Sequence, residues 1–166
     1  MSSTNVKVRN ATVCQGDGMI FKSILERMVY NTFQQEGIRL QYEPITFTLW
    51  GGFKPVTPFY DKETPKQKIK RDPDKKDTVK LVLKNAGVVG IRYTPDFYFK
   101  YNNVDIYIEA KGVENDVFYI KKKLFIKYLD DKLTITGQKS MYFIVYSKKQ
   151  CLQAINIIRD ECTSTT

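Results

Sequence analysis

Residues 93–112 read YTPDFYFKYNNVDIYIEAKG, a stretch dense in Tyr, Phe and Ile that nevertheless carries Asp96, Glu109 and Lys111. Side chains of a strand alternate between its two faces. On the second half of the stretch, Asp105, Tyr107, Glu109 and Lys111 therefore share one side. Val104, Ile106, Ile108 and Ala110 share the other, which is apolar enough to face a core. On the first half, Arg92, Thr94, Asp96 and Tyr98 fall together, opposite Tyr93, Phe97 and Phe99. A turn around Tyr101-Asn102-Asn103 joins the halves as a hairpin. Matching the polar faces brings Asp96 toward Glu109. Two converging carboxylates repel unless a cation lies between them, and a divalent ion with oxygen ligands removes that repulsion. A lysine beside them can orient or deprotonate water, or stabilise charge building on a phosphoryl group. The bland alternative is a cross-strand salt-bridge cluster on a solvated face, which the apolar flanks argue against.

Working outward, MIFKSILERMVYNTFQQEG (19–37) places Ile20, Phe21, Ile24, Leu25 and Met28 at helical spacing, with Gly37 as a stop. IRLQYEPITFTLW (38–50) reads as extended chain broken at Pro44. Residues 51–77 carry Pro55, Pro58, Pro65 and Pro73 and the charged run DKETPKQKIKRDPDKKD, the composition of a long mobile loop. TVKLVLKNAG (78–87) predicts a strand. DVFYIKKKLFIKYLDD (116–131) predicts an amphipathic helix that buries Val117, Ile120, Leu124 and Ile126 or Tyr128 and shows Lys121, Lys122, Lys123 and Lys127 to solvent. MYFIVYS (141–147) predicts a buried strand and KKQCLQAINIIRDE (148–161) a last helix. The expected organisation is an arm at 1–17, one domain over 18–162 and a frayed tail at 163–166. The fold class is α/β, with a mixed central sheet covered by helices.

Composition narrows the chemistry. Histidine is absent, which excludes a Ser-His-Asp triad and every His-ligated metal site. The cysteines Cys14, Cys151 and Cys162 are odd in number and form no C-x-x-C pair, so reduced thiols are expected. Any metal must then sit among oxygen ligands, which means Mg²⁺ or Mn²⁺. Lys and Arg number 27 against 18 acids, a formal charge of +9, and that balance points to a polyanionic partner, DNA first. No apolar run is long enough to cross a bilayer, and MSSTNVKVRNATV lacks the apolar centre of a secretory signal. A soluble intracellular protein without membrane contact is expected.

TPD at 94–96 followed by EAK at 109–111 resembles the PD-(D/E)xK motif of the restriction-endonuclease-like nuclease superfamily. FKSILERMVYNTF, with Glu26, resembles the first-helix motif of its smaller, phage-borne members. The likeness runs from about Met19 to Tyr146 and leaves the 51–77 segment unmatched. It implies an α-β-β-β-α-β core. It implies Mg²⁺ or Mn²⁺ held by Asp96, Glu109 and the main-chain carbonyl of Ala110, with Glu26 as a further acid. Lys111 would position the attacking water or stabilise the transition state.

The activity so implied is that of a Mg²⁺-dependent DNA endonuclease, such as a phage junction or branch resolvase acting in the host cytoplasm. A homodimer would supply one site for each of two strands. Similar folds also serve in phage head completion. The alternative is therefore a virion assembly protein, of head-completion or head-tail connector type, and a third reading is a DNA-binding protein without metal. Glu26 has two readings, because Ser23-x-x-Glu26 also fits a capping box. Lys121, Lys122 and Lys123, with Lys68, Lys70 and Arg71 of the charged run, are candidate phosphate contacts or solvated faces. Asp105, Tyr107 and Gln138 are placed to line the substrate cleft.

Overall fold

The asparagine pair of the hairpin sets the architecture. Asn102 and Asn103 both take positive φ (43° and 64°), the backbone of a two-residue type I′ turn whose twist suits antiparallel strands. The turn fixes Tyr101 opposite Val104 and carries the register back to Phe97 opposite Ile108. The structure, a computed structural model, describes residues 13–16, 18–63 and 80–163. Its elements in chain order are β1 (Cys14–Gly16), β2 (Met19–Phe21), α1 (Ile24–Gln35), β3 (Gln41–Tyr42), β4 (Phe47–Trp50), β5 (Phe59–Lys62), β6 (Leu81–Lys84), β7 (Ile91–Tyr93), β8 (Phe97–Tyr101), β9 (Val104–Ala110), α2 (Asp116–Thr136), β10 (Ser140–Val145) and α3 (Lys148–Thr163). They form two compact units, Met1–Leu49 with Arg92–Thr166, and Trp50–Ile91.

The larger unit is built on a mixed sheet in the order β10-β9-β8-β3. β3, β8 and β9 run antiparallel and β10 runs parallel to β9, so the fold is mixed α/β. Every residue of β9 is buried, because helices cover both faces. On one face Phe97, Phe99, Ile106 and Ile108 pack with Val29 and Phe33 of α1 and Ile155 and Ile158 of α3. On the other face Tyr107 packs with Phe47, Tyr93 and the α2 residues Phe118, Phe125 and Leu129. Among the described residues no helix is long and apolar enough to cross a membrane.

The smaller unit is a ribbon in which β5 and β6 pair antiparallel, with a further bridge between Phe53 and Val88. Its base needs Gly90: a Cβ there would stand 2.5 Å from the Trp50 carbonyl oxygen.

Several expectations are corrected. The run Met19–Phe21 is a strand paired with Cys14–Gly16, not the start of the helix. The helix begins after Ser23, whose Oγ accepts from the Glu26 amide at 3.1 Å. The segment 51–77 is not loop throughout, since Phe59–Lys62 is a strand; its remainder from 64 lies outside the described residues, as do 1–12 of the arm. β10 is a half-buried edge strand rather than a fully buried one. α2 is rotated from its expected face: Phe118, Phe125 and Leu129 are buried, whereas Val117, Ile120 and Ile126 are exposed. Apolar residues surround this helix, so periodicity alone does not choose its inner stripe.

The rotated face has a measurable consequence. Phe125 is fully buried and contacts the rings of Phe47, Tyr93, Tyr107 and Tyr142. Phe125→Ala should cost about 3–5 kcal/mol, and Ile120→Ala should stay within about 0.5 kcal/mol of the parent, both read from urea denaturation midpoints.

Candidate active site

The site begins where the strand that carries Asp96 stops being regular. Pro95 has no N–H to give a ladder and is fully buried, and it separates β7 from β8. Asp96 then sits one residue before β8, and its side chain replaces the ladder. Its Oδ2 accepts the Ala110 amide at 2.7 Å, and its own carbonyl accepts the Glu43 amide at 2.8 Å. No hydrogen bond from a described residue reaches Asp96 Oδ1.

On the neighbouring strand Glu109 is 4% exposed and has a donor on each oxygen. Lys111 Nζ donates to Oε1 at 3.0 Å and Tyr93 Oη to Oε2 at 2.7 Å. Tyr93 also meets Tyr142 of β10, Oη to Oη at 2.6 Å. Burial pushes the pKa of both phenols well above the ordinary tyrosine value, so they stay protonated and can donate. The Lys111 ammonium lies 4.0 Å above the centre of the Phe118 ring, a cation–π contact that backs it toward the cleft. Burial, and after it the charge of Glu109, pushes the Asp96 carboxyl up to about 8, against the pull of the Ala110 amide. Asp96 therefore feels the charge of Glu109 from the neighbouring strand.

Glu109 and Lys111 open onto a cleft of about 530 Å³ whose wall also carries Thr94, Arg92, Lys121 and Lys22, the last ion-paired with Glu43 of the same wall. Thr94 Oγ1 lies 2.7 Å from that of Thr46. Asp96 stands behind this wall rather than in it. Lys22 and Arg92 escape sequence reasoning because nothing local marks them. Tyr93 escapes because the break at Thr94-Pro95 resets the alternation, turning it toward Glu109 instead of toward the Phe97 side.

The remaining candidates are distributed as follows. Glu26 is buried in a cap network: Ser23 Oγ donates to its Oε1 at 2.8 Å, and the Lys22 amide and Tyr42 Oη donate to its Oε2 at 3.0 and 2.6 Å. Its charge adds to the repulsion at Asp96. Lys121, Lys122 and Lys123 do not make one face. Lys121 lines the cleft, Lys122 grips Glu114 at 2.7 Å, and Lys123 lies over the Tyr119 ring at 4.3 Å. Asp105 pairs with Lys132 at 2.7 Å and accepts from Tyr98 at 3.0 Å, away from the cleft. Tyr107 is packed into the aromatic cluster, and Gln138 donates to the Asn103 carbonyl at 2.7 Å; neither lines the cleft. Lys68, Lys70 and Arg71 lie outside the described residues.

Among the described residues no group of three His, Cys, Asp or Glu side chains converges to hold a metal. What the site offers is two carboxylates with the Ala110 carbonyl nearby. These are hard oxygen donors that suit Mg²⁺ or Mn²⁺, because Mg²⁺ keeps several waters and needs few protein ligands. No protein-family model, no curated protein and no solved structure matches the chain, so the chemistry rests on the residues themselves.

The raised Asp96 carboxyl sets a pH signature. Its folded pKa of about 8 lies above the unfolded value near ~3.9, so the native state favours the protonated form. That contribution is complete below about pH 4 and is lost progressively as pH rises toward 8. In EDTA the melting temperature should therefore fall from pH 5 to pH 9. Asp96→Asn, which cannot ionise, should show a shallower fall and a gain of at least ~1 kcal/mol at pH 9.

Proposed function

We propose that this chain is a Mg²⁺- or Mn²⁺-dependent deoxyribonuclease of the restriction-endonuclease-like kind, hydrolysing phosphodiester bonds in DNA, with branched or junction DNA as the substrate class. The observation that carries this reading is the pairing at 3.0 Å of Glu109, on β9, with Lys111 just past its end, both facing the cleft, with Asp96 bonded to the Ala110 amide between them in sequence. The order α1, β3-β8-β9 antiparallel, α2 and a parallel β10 agrees with the α-β-β-β-α-β core that the motif implies.

Asp96, Glu109 and the Ala110 carbonyl would hold the cation, which when bound supplies Lewis-acid polarisation of the phosphoryl group and a more acidic water. Lys111, pinned between Glu109 and the Phe118 ring, presents its ammonium where charge builds on the phosphoryl oxygens. Lys22, Arg92 and Lys121 bind flanking backbone phosphates, which position the duplex without reading its sequence. The net charge of +9 draws DNA to the site.

A second reading, a virion assembly protein that keeps the fold without the chemistry, draws on the smaller unit. There Tyr60 of β5 stands opposite Leu83 of β6, with Leu81 two residues along on the same side, and all three are exposed, the kind of apolar grouping that can receive a protein partner.

The test is incubation of the purified protein with supercoiled, linear and branched DNA, with Mg²⁺ and with EDTA. Cleavage should require the cation, and Lys111→Ala and Asp96→Ala should each lower its rate at least ~100-fold. Absence of cleavage on every substrate, or cleavage unchanged in both variants, overturns the enzyme and leaves the assembly protein.

A further inference from the structure

Two phenols that no motif includes stand in a line behind Glu109. Tyr93 Oη donates to Glu109 Oε2 at 2.7 Å and meets Tyr142 Oη at 2.6 Å. A phenol has one proton. Since Tyr93 gives its proton to the carboxylate, the proton between the two phenols must come from Tyr142. The chain of donors runs from Tyr142 to Tyr93 to Glu109. Each member is fixed by a different element: Tyr93 ends β7 with its ring against Phe125, 4.8 Å between centroids, Tyr142 sits on β10, and Glu109 is on β9. The ring of Tyr142 also packs edge-on against Phe125 at 5.0 Å, so one α2 side chain braces both phenols.

We propose that Tyr93 and Tyr142 are positioning residues for Glu109: the donor chain locks one carboxylate oxygen, fixes its rotamer, and leaves the group aimed at the cation that the nuclease reading places between Glu109 and Asp96. The inference rests on that reading. Lys111 restrains the other oxygen from the cleft side, so Glu109 is held from two directions. Orienting partners of a metal ligand are typically worth 10- to 100-fold in affinity or activity. Because the chain runs from β10 through β7 to β9, it also makes the geometry of Glu109 depend on the β9–β10 pairing, where Ile144 stands opposite Glu109. Tyr93→Phe removes one oxygen and retains the ring that packs on Phe125, so packing and positioning separate cleanly in this variant.

The experiment is a Mn²⁺ titration of the parent, Tyr93→Phe and Tyr142→Phe, followed by electron paramagnetic resonance of free Mn²⁺, with cleavage measured alongside. Tyr93→Phe is expected to weaken Mn²⁺ binding about 10- to 100-fold, and Tyr142→Phe to weaken it in the same direction by less. Raising Mn²⁺ should restore cleavage by both variants but not by Lys111→Ala, whose defect is not in cation binding. Unchanged Mn²⁺ affinity in both phenol variants, in a parent that binds Mn²⁺, overturns the positioning role and leaves the nuclease standing. A parent that neither binds Mn²⁺ nor cuts DNA overturns the nuclease and the positioning role together. Should Tyr93→Phe fail to fold, Tyr142→Phe on the half-buried edge strand decides the question alone.

Discussion

The bond from the Ala110 amide to the Asp96 carboxylate is the constraint on which the rest of the site depends. At that point the β8–β9 ladder runs out, and a side chain takes the place of the next backbone acceptor. The Asp96 carbonyl meanwhile accepts from Glu43, a residue whose φ of 43° turns the chain away after β3. The Lys111 amide donates to Val145 at 2.9 Å, extending the parallel pairing with β10 one residue past Ala110. Three strand ends are therefore tied within two residues of Asp96 and Glu109. The carboxylates are held by backbone geometry and not by flexible loop, which is the precision a reacting site requires.

The distribution of buried charge singles out this place from others that look similar in composition. Asp105, Glu26 and Glu109 are all nearly inaccessible. Asp105 has Lys132 and Tyr98, and Glu26 has Ser23, Tyr42 and the Lys22 amide. Glu109 has Lys111 and Tyr93. Asp96 has one amide and the charge of Lys111 in its favour and faces the charges of Glu109 and Glu26. A carboxyl withdrawn from water without adequate partners is destabilising, and among these four the half-buried Asp96 has the fewest. A carboxyl so strongly perturbed by its surroundings is of the kind that clusters at functional sites.

Much of this was legible from residue order, and the failures have physical causes. Period-2 alternation put Glu109, near the end of a buried strand, and Lys111, just past it, on one side, where the two pair, because β9 is regular from end to end. The same rule misplaced Tyr93, because alternation does not survive the interruption at Thr94-Pro95-Asp96. Ser23 and Glu26 carried a capping signal that outranked the apolar run before them, since MIF is short enough to be a strand. In α2 the inner stripe contains Lys122, whose stem runs past Phe118 and Tyr119 to reach Glu114. A lysine on the core side disguised the stripe, and exposed Val117 and Ile120 supplied a false one. In the smaller unit the charged run outweighed the FYDK strand, whose partner lies across a long insertion that local patterning does not bridge.

The aromatic density that made the opening stretch look like plain core has a second role once the site is placed. Phe118, Phe125, Tyr93 and Tyr142 pack on the face of the sheet that carries Glu109 and Lys111. Rings exclude water and lower the local dielectric, which strengthens every charge–charge contact made there. They also offer what aliphatic side chains cannot: a quadrupole beneath the Lys111 ammonium and hydroxyls for the Glu109 carboxylate. Leu or Ile at these positions would pack as well and would leave both charges short of partners. The opposite face also carries rings, Phe97 and Phe99 beside Ile106 and Ile108, but none of them meets Glu109 or Lys111. It is the Tyr93 hydroxyl and the Phe118 ring that serve charge as well as packing. One strand serves two purposes because its two faces are filled by different chemistry.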